Sequence, residues 1–148
     1  MYLTTKAVAN LVGCSVRQLS YWRQRGIIVP TVNPSGTGYS AYYNEQNLVE
    51  VFVLHYLVTR GYDLYVASQI LNSIKSFHRD NNENLTALFS DLIVIWDEGK
   101  KGFVVFQYSY HVIGEELLPQ MLSRKITSLI IVPLGLLIDT LQKFQNGN

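Results

Sequence analysis

The segment from Ser15 to Gly26 constrains the fold of this chain more than any other part of it. Ser15 is a typical helix N-cap residue, and Val16, Leu19 and Trp22 follow at three-residue intervals, so they share one face of a short helix. The other faces are cationic and aromatic, with Arg17, Tyr21, Arg23 and Arg25. A short helix that is apolar on one side and cationic on the other suits insertion into a nucleic-acid groove.

The residues before this segment support the same interpretation. Residues 5–12 have the apolar spacing of a helix, which Thr4 or Thr5 would cap. Gly13-Cys14 then predicts a tight turn that leads into Ser15. Two helices joined by a short turn containing glycine have the spacing of a helix-turn-helix.

After the second helix, the spacing of apolar residues changes from a helical to a strand-like pattern. Two short β-prone runs, 27–30 and 39–43, flank the turn-forming residues 33–38. This pattern predicts a β-hairpin, or wing, over residues 31–43. The tip of the wing is rich in serine, glycine, threonine and asparagine, which offer hydroxyls and backbone amides to phosphates.

The rest of the chain predicts two more helices and a second unit. Asn44 is expected to cap a third helix and Asp63 a fourth. Residues 79–84 are polar and predict a linker, and His78 is expected to be a solvated surface residue. Beyond them, β-prone runs at 92–96, 103–108 and 126–132 alternate with helical patterns at 114–122 and 135–144.

The sequence thus predicts an α+β protein with two parts. Residues 1–78 form a winged helix-turn-helix domain of four helices and a β-hairpin wing. Residues 79–84 form the linker, and residues 85–148 form a small α+β subdomain in the order strand-strand-helix-strand-helix. That subdomain is a candidate for the dimer interface, or for binding a small-molecule or protein effector.

Charge is divided unevenly between these two parts. The net charge of the 148 residues is +1, but residues 1–79 carry +4 and residues 80–148 carry −3. No acidic residue precedes Glu45. This segregation favours a polyanion, such as double-stranded DNA, as the partner of the N-terminal half.

The composition excludes several other classes. Cys14 is the only cysteine, so no intramolecular disulfide can form, and metal sensing through thiolates is not expected. The longest apolar run, 129–138, is too short to span a bilayer, and the N-terminus lacks a signal-peptide pattern. No catalytic constellation surrounds His111. We therefore expect a cytoplasmic protein that is not an enzyme, with no cofactor, no metal site and no membrane partner.

A series of short motifs occurs in a fixed order along the N-terminal half. They are Ser15-Val16-Arg17-Gln18-Leu19-Ser20-Tyr21-Trp22, Gly26-Ile27-Ile28, Gly38-Tyr39, Asn47-Leu48 and Arg60-Gly61-Tyr62-Asp63-Leu64. In this order and at these intervals, residues 2–76 resemble the DNA-binding domain of the MerR family of transcriptional regulators. The resemblance implies that Arg17, Gln18 and Tyr21 face the major groove, and that Tyr39 and Tyr42 approach the flanking backbone.

The sequence departs from the pattern of that family in three places. Ser20 stands where the family often has arginine, and Ser40-Ala41 follow the wing where arginine is usual. Each missing phosphate contact is expected to weaken DNA affinity and to flatten its salt dependence. The polar stretch 77–84, with no heptads after it, replaces the long dimerisation helix that is typical of the family.

The leading hypothesis is a sequence-specific transcriptional regulator that binds DNA as a homodimer, with a recognition helix at 15–25 and a wing at 31–43. Its candidate DNA-binding residues are Thr4, Ser15, Arg17, Gln18, Ser20, Tyr21, Arg23, Arg25, Ser35, Tyr39 and Tyr42. Two alternatives stay open. One is an excisionase-like or architectural DNA-binding factor, and the other is a protein-interaction module, such as an antitoxin or adaptor, that uses the C-terminal subdomain.

Overall fold

The first two helices are fixed by local capping. The computed structural model describes residues 1–35, 40–81 and 85–147. Helix α1 (Thr5–Val12) begins where the Thr4 hydroxyl oxygen accepts a hydrogen bond from the Ala7 amide at 3.1 Å. It ends at Gly13, whose φ of 87° is a left-handed conformation that favours glycine. Helix α2 (Val16–Gln24) follows the predicted cap at Ser15, so the helix-turn-helix prediction is confirmed.

Two short antiparallel pairings lie at the base of the predicted wing. Strand β1 (Leu3–Thr4) pairs with strand β2 (Tyr42–Tyr43), and Val32 exchanges two backbone hydrogen bonds of 3.0 Å with Tyr42. The prediction that residues 27–30 form a strand is wrong. The amides of Ile27 and Ile28 bond to the Trp22 carbonyl instead, because this segment closes the C-terminal end of α2. Residues 36–39 of the predicted wing, which include Tyr39, lie outside the described residues.

Two longer helices form the back of the N-terminal domain. Helix α3 (Glu45–Thr59) begins at the predicted cap Asn44, and helix α4 (Leu64–Asn81) begins after Asp63, whose carboxylate accepts the Val66 amide at 2.8 Å. Helix α4 continues through 79–81, the first three residues of the predicted linker, so these are helical. The expectation that His78 is solvated is wrong, since its side chain is 95% buried where the chain after α4 packs back on the helix.

The C-terminal elements occur in the predicted order. After α5 (Leu85–Leu88) come strands β3 (Leu92–Asp97) and β4 (Gly102–Gln107), a π-helical segment (Val112–Leu117) that continues into α6 (Leu118–Leu122), strand β5 (Ile126–Val132) and helix α7 (Leu134–Gln145). The three strands form an antiparallel sheet in the order β4-β3-β5. The structure is therefore α+β, as predicted, with a helix-turn-helix N-terminal region.

The two parts of the chain share one hydrophobic core. One face of the sheet, with Leu92 and Val94, joins α7 in the same buried cluster as Leu48 and Leu54 of α3. Helix α7 also packs against α1. The other face of the sheet packs against the π-helical segment through a separate cluster of Ile93, Ile95, Leu117 and Ile126. No helix of the described residues is long and apolar enough to cross a membrane.

Candidate nucleic-acid interface

Helix α2 has the two-sided character that its sequence predicts. Leu19 and Trp22 are buried in the core, whereas Arg17 and Tyr21 are exposed on the opposite side. Arg17 makes no hydrogen bond or ion pair with the described residues. Its guanidinium is therefore available to a ligand outside the molecule, and the C-terminal subdomain does not cover it.

A second cation lies on the same face. The guanidinium carbon of Arg25 is 5.9 Å from the centre of the Tyr21 ring, which is within cation–π distance. This contact holds a positive charge beside the exposed aromatic ring. Gln18 and Ser20 are half-buried on the same helix, whereas Arg17, Tyr21 and Arg25 are exposed.

Arg23 has partners inside the chain, although the sequence places it among the candidate DNA-binding residues. Its Nε donates to the Asn33 side-chain oxygen at 2.7 Å, and its Nη2 donates to the Pro34 carbonyl at 2.9 Å. These bonds tie α2 to the first side of the wing. Arg23 therefore links α2 to the predicted wing through residues ten and eleven positions further along the chain.

The other candidate residues lie around the same surface. The Thr4 and Ser15 side chains are exposed and cap α1 and α2, and each hydroxyl keeps its own hydrogen to donate. Ser35 and Tyr42 are exposed on the two sides of the wing. Tyr39 lies outside the described residues, so its position relative to the others stays a prediction.

An open groove of about 540 Å³ runs between α1 and the start of α2. Lys6, Asn10 and Val16 line it together with Thr4, and Val16 is 46% exposed. Sequence reasoning did not select Lys6 or Asn10, although their i, i+4 spacing places both on one face of α1. Burial raises the pKa of Cys14 in this groove, so its thiol stays protonated at neutral pH.

Asn47 organises the connection between helix α2 and the predicted wing. Its buried side-chain oxygen accepts from the Thr31 amide at 2.9 Å, the Thr31 hydroxyl at 2.7 Å and the Asn44 amide at 3.2 Å. Its Nδ2 donates to the Val29 carbonyl at 3.0 Å and to the Glu50 carboxylate at 3.3 Å. Asn47 thus fastens residues 29–31 to the start of α3. The sequence showed it only as part of a motif.

Glu50 is a buried carboxylate behind this network. Burial raises its pKa, while Lys75, at 3.9 Å, and the amide of Asn47 lower it by less. A group with a raised pKa in the folded state stabilises the fold when protonated, and this stabilisation is lost as the pH rises through the raised pKa. At pH values above the raised pKa, the ionised Glu50 therefore opposes folding.

We expect Glu50→Gln to raise the free energy of unfolding at pH 7, because glutamine can still accept the Asn47 bond without a buried charge. The advantage of the variant shrinks as the pH falls through the raised pKa toward the ordinary glutamate value of about 4.3. Urea denaturation of both proteins across this range measures the difference. A variant that is less stable than the wild type at pH 7 would show that the Lys75 attraction outweighs burial.

Arg23→Ala tests the link between α2 and the wing. We expect it to increase amide exchange in residues 31–35 and to lower the free energy of unfolding by about 1 kcal/mol, because two hydrogen bonds are lost at a partly exposed site. Arg79→Ala, on the exposed end of α4, is the matched control. Unchanged exchange in 31–35 would contradict the positioning role.

The comparisons with known proteins agree with this geometry. Residues 3–74 match a family model described as MerR HTH family regulatory protein, which confirms the resemblance predicted from the motifs. The N-terminal half is therefore similar to the helix-turn-helix domain of the MerR family of regulatory proteins. The match ends within α4, so the C-terminal sheet lies beyond it. None of the curated proteins matches the chain.

Proposed function

We propose that this chain is a sequence-specific transcriptional regulator that places α2 in the major groove of DNA as part of a homodimer. The observation that carries the proposal is the exposed face of α2, where Arg17 has no partner in the described chain and Arg25 stands beside Tyr21. The match to the MerR regulatory family supports DNA as the ligand. The +4 charge of residues 1–79 supports the same partner.

The roles of individual side chains follow from their chemistry. Arg17 would donate two hydrogen bonds to O6 and N7 of a guanine, or clamp a phosphate, and Gln18 would pair with an adenine edge. Ser35 and Tyr42 would contact the flanking backbone with their hydroxyls, and Tyr39 would do so from the wing tip. Arg23 would act indirectly, by holding the wing.

A dimer follows from the small size of the reading surface. The nine residues of α2 span about 14 Å, which is enough for only a few base pairs. Two copies related by a two-fold axis would read two half-sites and double the number of base contacts. Because Ser20, Ser40 and Ala41 replace arginines that are usual in the family, the salt dependence of binding should be shallower than for a typical member.

The experiment that tests this function is selection of genomic fragments by the purified protein, followed by footprinting. The proposal predicts an enriched site with two protected half-sites in inverted orientation. A single protected half-site from a monomer would favour the architectural alternative, and no enrichment at all would favour the protein-interaction alternative.

A further inference from the structure

We propose that two copies of this chain associate through the free edge of strand β4, which pairs antiparallel with the same strand of the second copy about a two-fold axis at Val105. This inference rests on the proposed homodimer and identifies the surface that forms it. It places the interface in the C-terminal sheet, which lies outside the region that matches the regulatory family.

The hydrogen-bond register shows which groups of β4 point outward. The Tyr108 amide donates to the Asp91 carbonyl at 2.9 Å, so Asp91 and Tyr108 form a hydrogen-bonded pair. Such pairs alternate along an antiparallel ladder, and Val104 and Phe106 therefore bond to β3. The amides and carbonyls of the intervening residues, Phe103, Val105 and Gln107, point away from β3. None of these six groups bonds to any other part of the described chain.

The opposite edge of the sheet is different. On β5 the outward-facing residues on the regular side of the register shift are Leu129 and Ile131. The Tyr56 hydroxyl of α3 donates to the Ile131 carbonyl at 3.1 Å, so one end of this edge is already covered by the protein itself. The register between β3 and β5 also shifts between Trp96 and Asp97, whereas β3 and β4 pair regularly over all six residues.

Strand β4 lacks the residues that usually protect a free edge, although helix α4 of the same chain packs against this strand. Monomeric proteins usually place lysine, proline or a bulge on an edge strand to prevent it from pairing with another chain. Residues 102–107 contain no charged residue and no proline, and Phe103 to Phe106 are apolar and half-buried. A regular, uncharged and apolar edge of this kind is a template for pairing with a strand of another chain.

The strand is complementary to itself. A two-fold axis at Val105 sets Val105 against Val105 of the second copy, and Phe103 against Gln107 of the second copy. All six outward groups of each copy then pair, which gives six hydrogen bonds between the chains. In the same register Lys101 faces Ser109 and Lys100 faces Tyr110, so no two like charges are opposed.

On the face of the sheet that packs against the π-helical segment, the rows of side chains would continue from one copy to the other. Val104 and Phe106 are half-buried and lie in rows with Ile95 and Ile93. In the two-fold register Val104 faces Phe106 of the second copy in a non-hydrogen-bonded pair, the closer type of cross-strand pair. A second copy would therefore bury apolar surface that one copy leaves half exposed.

Amide hydrogen exchange of the wild-type chain without DNA tests the proposal, because a second copy would protect only the outward-facing amides of β4. At high protein concentration the amides of Phe103, Val105 and Gln107 should exchange at least about tenfold more slowly than at low concentration. Exchange of the outward-facing amides of Leu129 and Ile131 should not depend on protein concentration. Protection on β5 instead, or no concentration dependence on either edge, would overturn the proposal.

Sedimentation equilibrium of two proline variants gives a matched test. Val105→Pro and Leu129→Pro each place proline at the central outward-facing amide of an edge strand, where no bond to β3 is lost. We expect the wild type and Leu129→Pro to be dimers and Val105→Pro to be a monomer.

A Val105→Pro dimer or a wild-type monomer would contradict the proposal. If Val105→Pro does not fold, the amide exchange pattern of the wild type decides whether β4 forms the interface. A monomer that still binds a single half-site through Arg17 would refute this interface while leaving the DNA-binding function in place.

Discussion

Arg17→Ala is expected to weaken binding to the selected DNA site by about 1–3 kcal/mol, or roughly 5- to 150-fold. The loss should appear without a change in stability, because the Arg17 side chain is exposed and has no partner in the described chain. Fluorescence anisotropy with a labelled duplex at several salt concentrations measures both the affinity and its salt slope.

The pattern of the loss tells which group Arg17 contacts. If it contacts a guanine, discrimination at one base pair of the half-site is relaxed. If it contacts a phosphate, affinity falls equally for all sequences and the salt slope decreases by about one. Lys100→Ala removes the same charge from the turn between β3 and β4 and serves as the control. Equal losses in the two variants would contradict a specific role for Arg17.

Asn47→Ala is expected to cause the largest loss of stability, about 3 kcal/mol. The substitution removes five hydrogen bonds and leaves the Thr31 amide and the Val29 carbonyl without their partner in a partly buried position. Because residues 29–31 join α2 to the wing, DNA affinity should fall as well. Urea denaturation monitored by tryptophan fluorescence measures the stability, since Trp22 is buried in α2.

Asn72→Ala is the matched control, because Asn72 is exposed on α4. That variant should be as stable as the wild type or slightly more stable, since alanine has the higher helix propensity. A double-mutant cycle with Thr31→Val isolates the bond between the two side chains. If Asn47→Ala and Asn72→Ala have the same stability, the network around Asn47 does not hold the wing connection.

The sequence was most informative where local interactions decide the structure. Both ends of α1 and the start of α2 follow from Thr4, Gly13 and Ser15. Each of these residues forms its capping hydrogen bond with a residue three or four positions away. The order of strands and helices in the C-terminal subdomain follows from periodicity, and β5 has the predicted bounds 126–132. The exposed face of α2 also follows, because the spacing of Leu19 and Trp22 assigns their own side to the core and leaves the opposite side to solvent.

The errors occur where distant parts of the chain meet. Residues 27–30 have β-prone composition, but the carbonyl of Trp22 and the side chain of Asn47 take their hydrogen bonds. His78 lies in a polar sequence, yet the returning chain buries it. Arg23 looks like a DNA-binding cation in the sequence, and only the fold shows that its guanidinium donates a hydrogen bond to the Asn33 side chain. No local pattern encodes these contacts.

The central claim is that the exposed face of α2 enters the major groove, and methylation interference tests it most directly. Dimethyl sulfate methylates N7 of guanine in the major groove and N3 of adenine in the minor groove. The wild-type protein should fail to bind selected duplexes methylated at guanine N7 within each half-site. It should bind those methylated only at adenine N3 there. Interference confined to adenine N3 would contradict the placement of α2 in the major groove.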